Sequence, residues 1–207
     1  MSRLHKASVT PTKAELIGTW SPTQSWGPAA SDPIEMIGSY RFDDPDGSVG
    51  METLLFSAGG AVYQAPLTYR DQPLEGAAEA LVGQMQHSVL GARWVYDGLR
   101  DPRFTSMLAA VTMTGQGEAL GMILYDDRWH VAPSNVRIRG GGWSQERVPV
   151  DGFEIVVDGP SGATLRNDRL ELTLYRRPAP GPAPAIGLTG TWSGQDDGVV
   201  LTEIRER

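Results

Sequence analysis

Apolar residues recur at every second position through much of this chain, and a spacing of three to four appears in only a few places. Residues 34–70 read as three strands, 34–42, 49–56 and 61–69, joined by turns. Asp44-Pro45-Asp46-Gly47 places proline and glycine where a reverse turn wants them, and Gly59-Gly60 suits a tight hairpin. The stretch 84–97 reads as one strong strand, with Leu90, Ala92, Trp94 and Tyr96 on one face and His87, Val89, Arg93, Val95 and Asp97 on the other. Past it, Asp101 and Pro102 open a helix whose Phe104, Met107, Leu108 and Val111 form an i, i+3, i+4, i+7 stripe, ended by Gly115 and Gly117.

The ends of the chain are less regular. Residues 3–9 read as a short strand, followed by a helix to Trp20 with either Thr10 as N-cap and Pro11 at the first position, or a Thr12 to Glu15 capping box. Residues 21–33 read as a loop rich in Pro, Ser and Gly, and 75–81 as a short helix. Residues 120–207 read as almost all β, with strands at 121–125, 135–139, 153–157, 169–176 and 199–204. The clearest alternates Leu170, Leu172 and Leu174 with polar neighbours. The proline-rich stretch 178–184 is a stiff connector that tethers a final strand pair. The fold class expected is α+β, with a first unit over 1–118 and a β-rich extension over 119–207, either a second domain or the completion of the first sheet.

Composition narrows the function classes. A chain of 207 residues buries a core without staples, and the absence of cysteine excludes disulfides, thiolate metal sites and cysteine nucleophiles. The net charge of −7 and the lack of any basic run longer than Arg176-Arg177 argue against nucleic acid and anionic membranes as partners. No stretch approaches the roughly 20 apolar residues of a membrane span and the N-terminus has no apolar signal core, so a cytoplasmic protein is expected.

Candidate chemistry is sparse. His5, His87 and His130 are far apart in sequence, and Asp44, Asp46 and Glu52 make an incomplete calcium pattern better explained by the turn, so no metal or cofactor is expected. Gly140-Gly141-Gly142 lacks nucleotide-binding spacing and reads as a flexible loop. Trp20 and Trp26 are the pair chosen for stacking on a sugar ring, and with His87, Arg93, Trp94 and Asp97 they make the candidate ligand groove. On a straight strand His87 and Arg93 stand about 20 Å apart, too far to act on one atom, so a partner-facing surface is favoured over a catalytic one.

Several segments resemble one family: Val9-Thr-Pro-Thr-Lys-Ala-Glu-Leu16, Trp20-Ser-Pro-Thr-Gln-Ser-Trp26, Tyr63-Gln-Ala-Pro-Leu-Thr-Tyr-Arg70, and above all His87-Ser-Val-Leu-Gly-Ala-Arg-Trp-Val-Tyr-Asp-Gly98 with Asp101-Pro102. Over residues 3–118 the chain is similar to the N-terminal cap domain of maltokinases. The resemblance implies a cystatin-like, curved antiparallel sheet with packed helices, and a link to α-glucan or maltose-type sugar metabolism. It implies no chemistry of its own. Phosphoryl transfer needs an aspartate that orients the acceptor, metal-binding Asp and Asn, and a cation on the nucleotide phosphates. The 130–135 tract has a histidine and an asparagine at its ends but no aspartate between, and Thr173 stands where the kinase lysine is expected. A free-standing, non-catalytic cap is therefore expected, docking on a sugar kinase or α-glucan enzyme or on itself. The alternative is a module that binds a carbohydrate or sugar phosphate; a degenerate kinase or a carboxylate-dependent glycoside-active enzyme is the remaining reading.

Overall fold

The computed structural model describes residues 2–4, 7–132, 134–143 and 146–207; His5 and Lys6, on the expected first strand, lie outside the described residues. In chain order come β1 (Ser2–Leu4), β2 (Val9–Thr10), α1 (Lys13–Trp20), β3 (Glu35–Phe42), β4 (Gly50–Ala58), β5 (Ala61–Arg70), β6 (Leu81–His87), β7 (Gly91–Asp97) and α2 (Pro102–Met113). There follow β8 (Gly121–Tyr125), β9 (Arg128–Ala132), β10 (Val136–Gly140), β11 (Glu154–Gly159), β12 (Gly162–Arg166), β13 (Leu170–Leu174), β14 (Gly187–Trp192) and β15 (Gln195–Glu206). The protein is α+β and mostly β. Its strands form two six-stranded antiparallel sheets, ordered β2-β6-β7-β5-β4-β3 and β10-β14-β15-β13-β12-β11, and a small sheet β1-β8-β9.

Local chemistry explains most of the elements. Of the two N-cap readings the second holds: Thr12 Oγ1 accepts from the Glu15 amide at 3.2 Å, and Glu15 Oε2 accepts from the Thr12 amide at 2.7 Å. The β4–β5 hairpin turns on Gly59 and Gly60 with φ of +55° and +77°, a conformation that favours glycine. Asp101 caps α2, its Oδ1 accepting from the Arg103 amide at 3.1 Å, and Phe104, Leu108 and Val111 of the expected stripe are buried.

Three expectations need correction. The stretch 84–97 is not one strand but the hairpin β6–β7, closed by residues 88–90. His87 pairs with Gly91 and Met85 with Arg93, so odd-numbered residues share one face on both arms. The alternation runs through the turn in phase, and for that reason it looks like a single strand. The expected helix over 75–81 is only a single 3₁₀ turn at Ala78–Ala80. The glycine run at 140–142 is packed rather than a flexible loop. A Cβ on Gly140 would lie 2.1 Å from the Val111 carbonyl oxygen and one on Gly142 2.6 Å from Met113 Cα, so the end of α2 passes against bare backbone.

The two large sheets share one core. Tyr40, Phe42, Met51 and Leu55 on one face of the first sheet pack with Phe104 and Leu108 of α2 and with Leu165, Leu172, Leu188 and Leu201 of the second. The opposite face of the first sheet carries a second cluster in which Leu16 and Ile17 of α1 cover Leu54, Phe56, Tyr63 and Val95.

The sheets are joined where β7 leaves the edge of β5 uncovered, since β7 pairs only with Leu67 to Arg70. There the Gln64 amide donates to the Arg176 carbonyl at 3.0 Å, and Gln64 Nε2 donates to the carbonyls of Tyr175 and Leu201 at 2.7 and 2.8 Å. Arg176 itself is 0 % exposed. Its guanidinium lies 2.8 Å from Asp97 Oδ2 and 3.3 Å from Asp158 Oδ2, and stacks over Trp26 with 4.4 Å to the ring centroid. Burial works against its charge, but the two aspartates outweigh burial and raise its pKa. Arg176→Ala strands Asp97 and Asp158 without their cation and is expected to cost about 3–5 kcal/mol, read as a lowered urea midpoint. A loss below about 1 kcal/mol would mean that the joint is held by Gln64 and packing alone.

Candidate functional site

A cavity of about 740 Å³ opens on the α1 face of the first sheet. Its walls include Val9, Lys13, Arg41, Met51, Tyr69, Met85, His87, Leu90 and Arg93, the turn between β3 and β4, and Ile123 from the small sheet. The sheet register explains why these side chains converge. Arg41 pairs with Glu52, Gly50 with Tyr69, Tyr69 with Val95 and Met85 with Arg93, so one row of same-facing positions crosses five strands.

Glu52 anchors this face and is 2 % exposed. Its carboxylate accepts from Lys13 Nζ at 2.8 Å, Ser39 Oγ at 2.8 Å and Tyr69 Oη at 3.0 Å, with an Arg41 Nη 3.3 Å away. Burial pushes the Glu52 carboxyl up, but the Arg41 and Lys13 cations and the hydrogen bonds from Lys13 and Ser39 outweigh it and hold the pKa at about 2. Burial, together with the same anion, raises the Tyr69 phenol well above its ordinary value. With every donor committed to this carboxylate, Glu52 is held as a fixed anion rather than poised as a general acid or base.

The rim is set by the β3–β4 turn. Asp44 accepts from the amides of Asp46, Ser48 and Val49 at 3.2, 2.9 and 2.8 Å and pairs with Arg103. Burial raises its pKa, but these amide bonds prevail and lower it. No group of three or more His, Asp or Glu side chains placed to hold a metal occurs among the described residues.

The candidate groove splits in the structure. His87 and Arg93 both line the cavity, and the hairpin places them as diagonal cross-strand neighbours about 7–8 Å apart instead of the separation expected on a straight strand. His87 Nδ1 accepts from the amides of Val89 and Leu90 at 3.2 and 3.1 Å and so closes the hairpin turn. Arg93 has no hydrogen-bond or ion-pair partner among the described residues. Trp94, half-buried, is on the opposite face of β7. Asp97 is buried and committed to Arg176 and to the Leu99 amide at 3.1 Å. Trp20 and Trp26 do meet, edge to face at 5.4 Å between centroids. Trp26, however, is 1 % exposed, held between Trp20 and the Arg176 guanidinium, and offers no face to a sugar ring. Residues 130–132 are part of strand β9, and Asn135 Oδ1 accepts from the Ser39 amide at 3.1 Å, while Pro133 lies outside the described residues.

The cavity residues Lys13, Arg41, Tyr69, Met85 and Ile123 did not emerge from the sequence. Lys13 stands one turn before the buried Leu16 and Ile17, on the face of α1 that meets the sheet, but nothing local connects it with Glu52, 39 residues away.

Residues 20–101 match the family model of the maltokinase N-terminal cap domain. That segment is similar to the cap family. It spans β3 to β7 and contains Arg41, Glu52, Tyr69, His87 and Arg93, whereas Lys13 and Ile123 are outside it. No curated protein matches the chain.

Because the folded-state pKa of Glu52 is depressed from 4.5 to about 2, the stability it contributes is present above pH 4.5 and lost as the pH falls through 2. The amount is on the order of 3 kcal/mol. Glu52→Gln is expected to lower unfolding free energy by about that much at pH 7 and to flatten the acid limb of the stability profile measured by urea titration between pH 7 and pH 2. An unchanged acid limb would place the pH dependence on other carboxylates.

Proposed function

We propose that this protein is a non-catalytic, cap-type regulatory or scaffolding module of α-glucan or maltose-type sugar metabolism, cytoplasmic, which works by binding a small ligand in the cavity of its first sheet. The single observation behind this reading is the cavity itself, of about 740 Å³, walled largely by residues of the cap-family segment. Its volume suits a metabolite-sized ligand. Its ionic groups favour binding over chemistry: Glu52 is saturated with donors, Asp44 is committed to its turn, and no base faces a nucleophile within the set. The cystatin-like arrangement and the sugar pathway come with the cap family. Among the described residues no helix is long and apolar enough to cross a membrane.

A second reading, docking on a sugar kinase, an α-glucan enzyme or another copy of the chain, is favoured by the β8–β9 hairpin. Leu124, Tyr125, Trp129 and Val131 are 54, 61, 45 and 58 % exposed there.

Thermal unfolding against maltose, maltotriose, trehalose, glucose 6-phosphate and small organic acids separates the two. A ligand at about 100 times its Kd contributes roughly 2.7 kcal/mol, so a saturable rise of about 5 °C or more is expected for at least one compound. Met85→Trp, which fills the cavity, should abolish the rise while leaving the circular dichroism spectrum intact. A flat response to the whole panel, or a rise that survives Met85→Trp, sinks the cavity reading and leaves docking.

A further inference from the structure

Resting on the cavity reading, we propose that the ligand is a small organic anion with an apolar body, and that Arg93 is the residue that selects its charge. Among the described residues, the ion pairs around the cavity leave one cation over. Lys13 and Arg41 bring two cations to the single carboxylate of Glu52, and both remain about one-third exposed, at 33 and 31 % of their side chains. Asp44 is spent on three turn amides and on Arg103. Asp43, also on the rim, is engaged in an interaction of its own. Arg93 is left on the wall as a guanidinium with no partner among the described residues. An unpaired cation in a partly desolvated concavity is a binding site for a carboxylate or phosphate, which a guanidinium grips through two parallel hydrogen bonds.

The rest of the wall describes the rest of the ligand. Val9, Met85, Leu90 and Ile123 offer apolar surface around that cation, and the methionine adapts its shape to an irregular body. Leu90 is 44 % exposed at the tip of the β6–β7 hairpin, beside Arg93, an exposure that burial against a ligand would relieve. A neutral, highly hydroxylated ligand would leave this wall unused and the guanidinium unpaired. The ring-stacking platform that such a ligand needs is not supplied by Trp26, which is buried elsewhere.

The test uses a matched pair, octanoate and 1-octanol, titrated calorimetrically into the full-length protein, its Arg93→Ala and Arg93→Lys variants, and the cavity-filling Met85→Trp variant. Octanoate is expected to bind saturably, and Arg93→Ala to weaken it by about tenfold or more, the equivalent of roughly 1.4 kcal/mol for a charge-assisted hydrogen bond. Arg93→Lys should recover part of the loss, and 1-octanol should respond to Met85→Trp but not to Arg93→Ala. Because Arg93 has no partner to abandon among the described residues, Arg93→Ala should unfold at the wild-type temperature. Equal affinity for octanoate and octanol, or octanoate binding indifferent to Arg93→Ala, overturns the inference. So does binding of maltose or trehalose in the cavity without octanoate binding, although the cavity reading then stands. If neither the pair nor any compound of the thermal panel binds, both fall together.

Discussion

A buried guanidinium fastens the two halves of this protein. β7 pairs with only the last four residues of β5, which leaves backbone donors and acceptors in the middle of the molecule without a neighbouring strand. Backbone polar groups cannot remain unpaired there at small cost. The chain solves this by bringing residues 175 and 176 from the second sheet against that edge, where Gln64 binds their carbonyls. The Arg176 side chain then enters the first sheet's second cluster, neutralised by Asp97 from β7 and Asp158 from β11 and covered by Trp26. One residue thus ties together β5, β7, β11 and the loop after α1.

The same face of the first sheet carries a second ionic cluster, and the contrast between the two is informative. Arg176 is closed off completely, with two anions for one cation. Glu52 has the reverse balance, one anion under two cations that still reach solvent. A closed cluster with complementary charge serves as a fastener. An open one with surplus positive charge, beside an apolar wall and an Arg93 that has no partner among the described residues, has the properties of a recognition surface. The matched family segment contains Glu52, Arg41 and Arg93, but the cavity is completed by Lys13 and Ile123 from outside it. The site therefore belongs to the assembled fold rather than to the cap segment alone.

Much of the fold was legible in the sequence wherever the signal was local. The capped helices, the Gly59-Gly60 hairpin, the Asp44 turn, the meander from 34 to 70 and the leucine alternation of β13 all rest on interactions within a few residues. The cap-family segment was legible too, through the motif run from Trp20 to Asp101. β9 and β12, only five residues long each, escaped even though each pairs with its sequence neighbour across a two-residue turn, at Asp126-Asp127 and Pro160-Ser161. The β6–β7 turn escaped for a sharper reason: a three-residue connection that pairs His87 with Gly91 keeps the two-residue period in phase across the reversal.

The candidate site was legible only in part. His87 and Arg93 were marked by their strand face, and the fold then brought them close by a turn the pattern concealed. Trp20 and Trp26 were named as the pair to stack on a sugar ring if any does, and whether either offers a face is not a property of a sequence. Arg176, 150 residues further on, covers Trp26 and converts it into core. What the sequence by itself determined was the class of protein, its local elements and its cap-family segment, because caps, turns and alternation act over short separations. What only the tertiary structure decided was which charges are neutralised and which are left over. That depends on pairs such as Lys13 with Glu52 and Asp97 with Arg176, 39 and 79 residues apart, whose meeting no local propensity encodes.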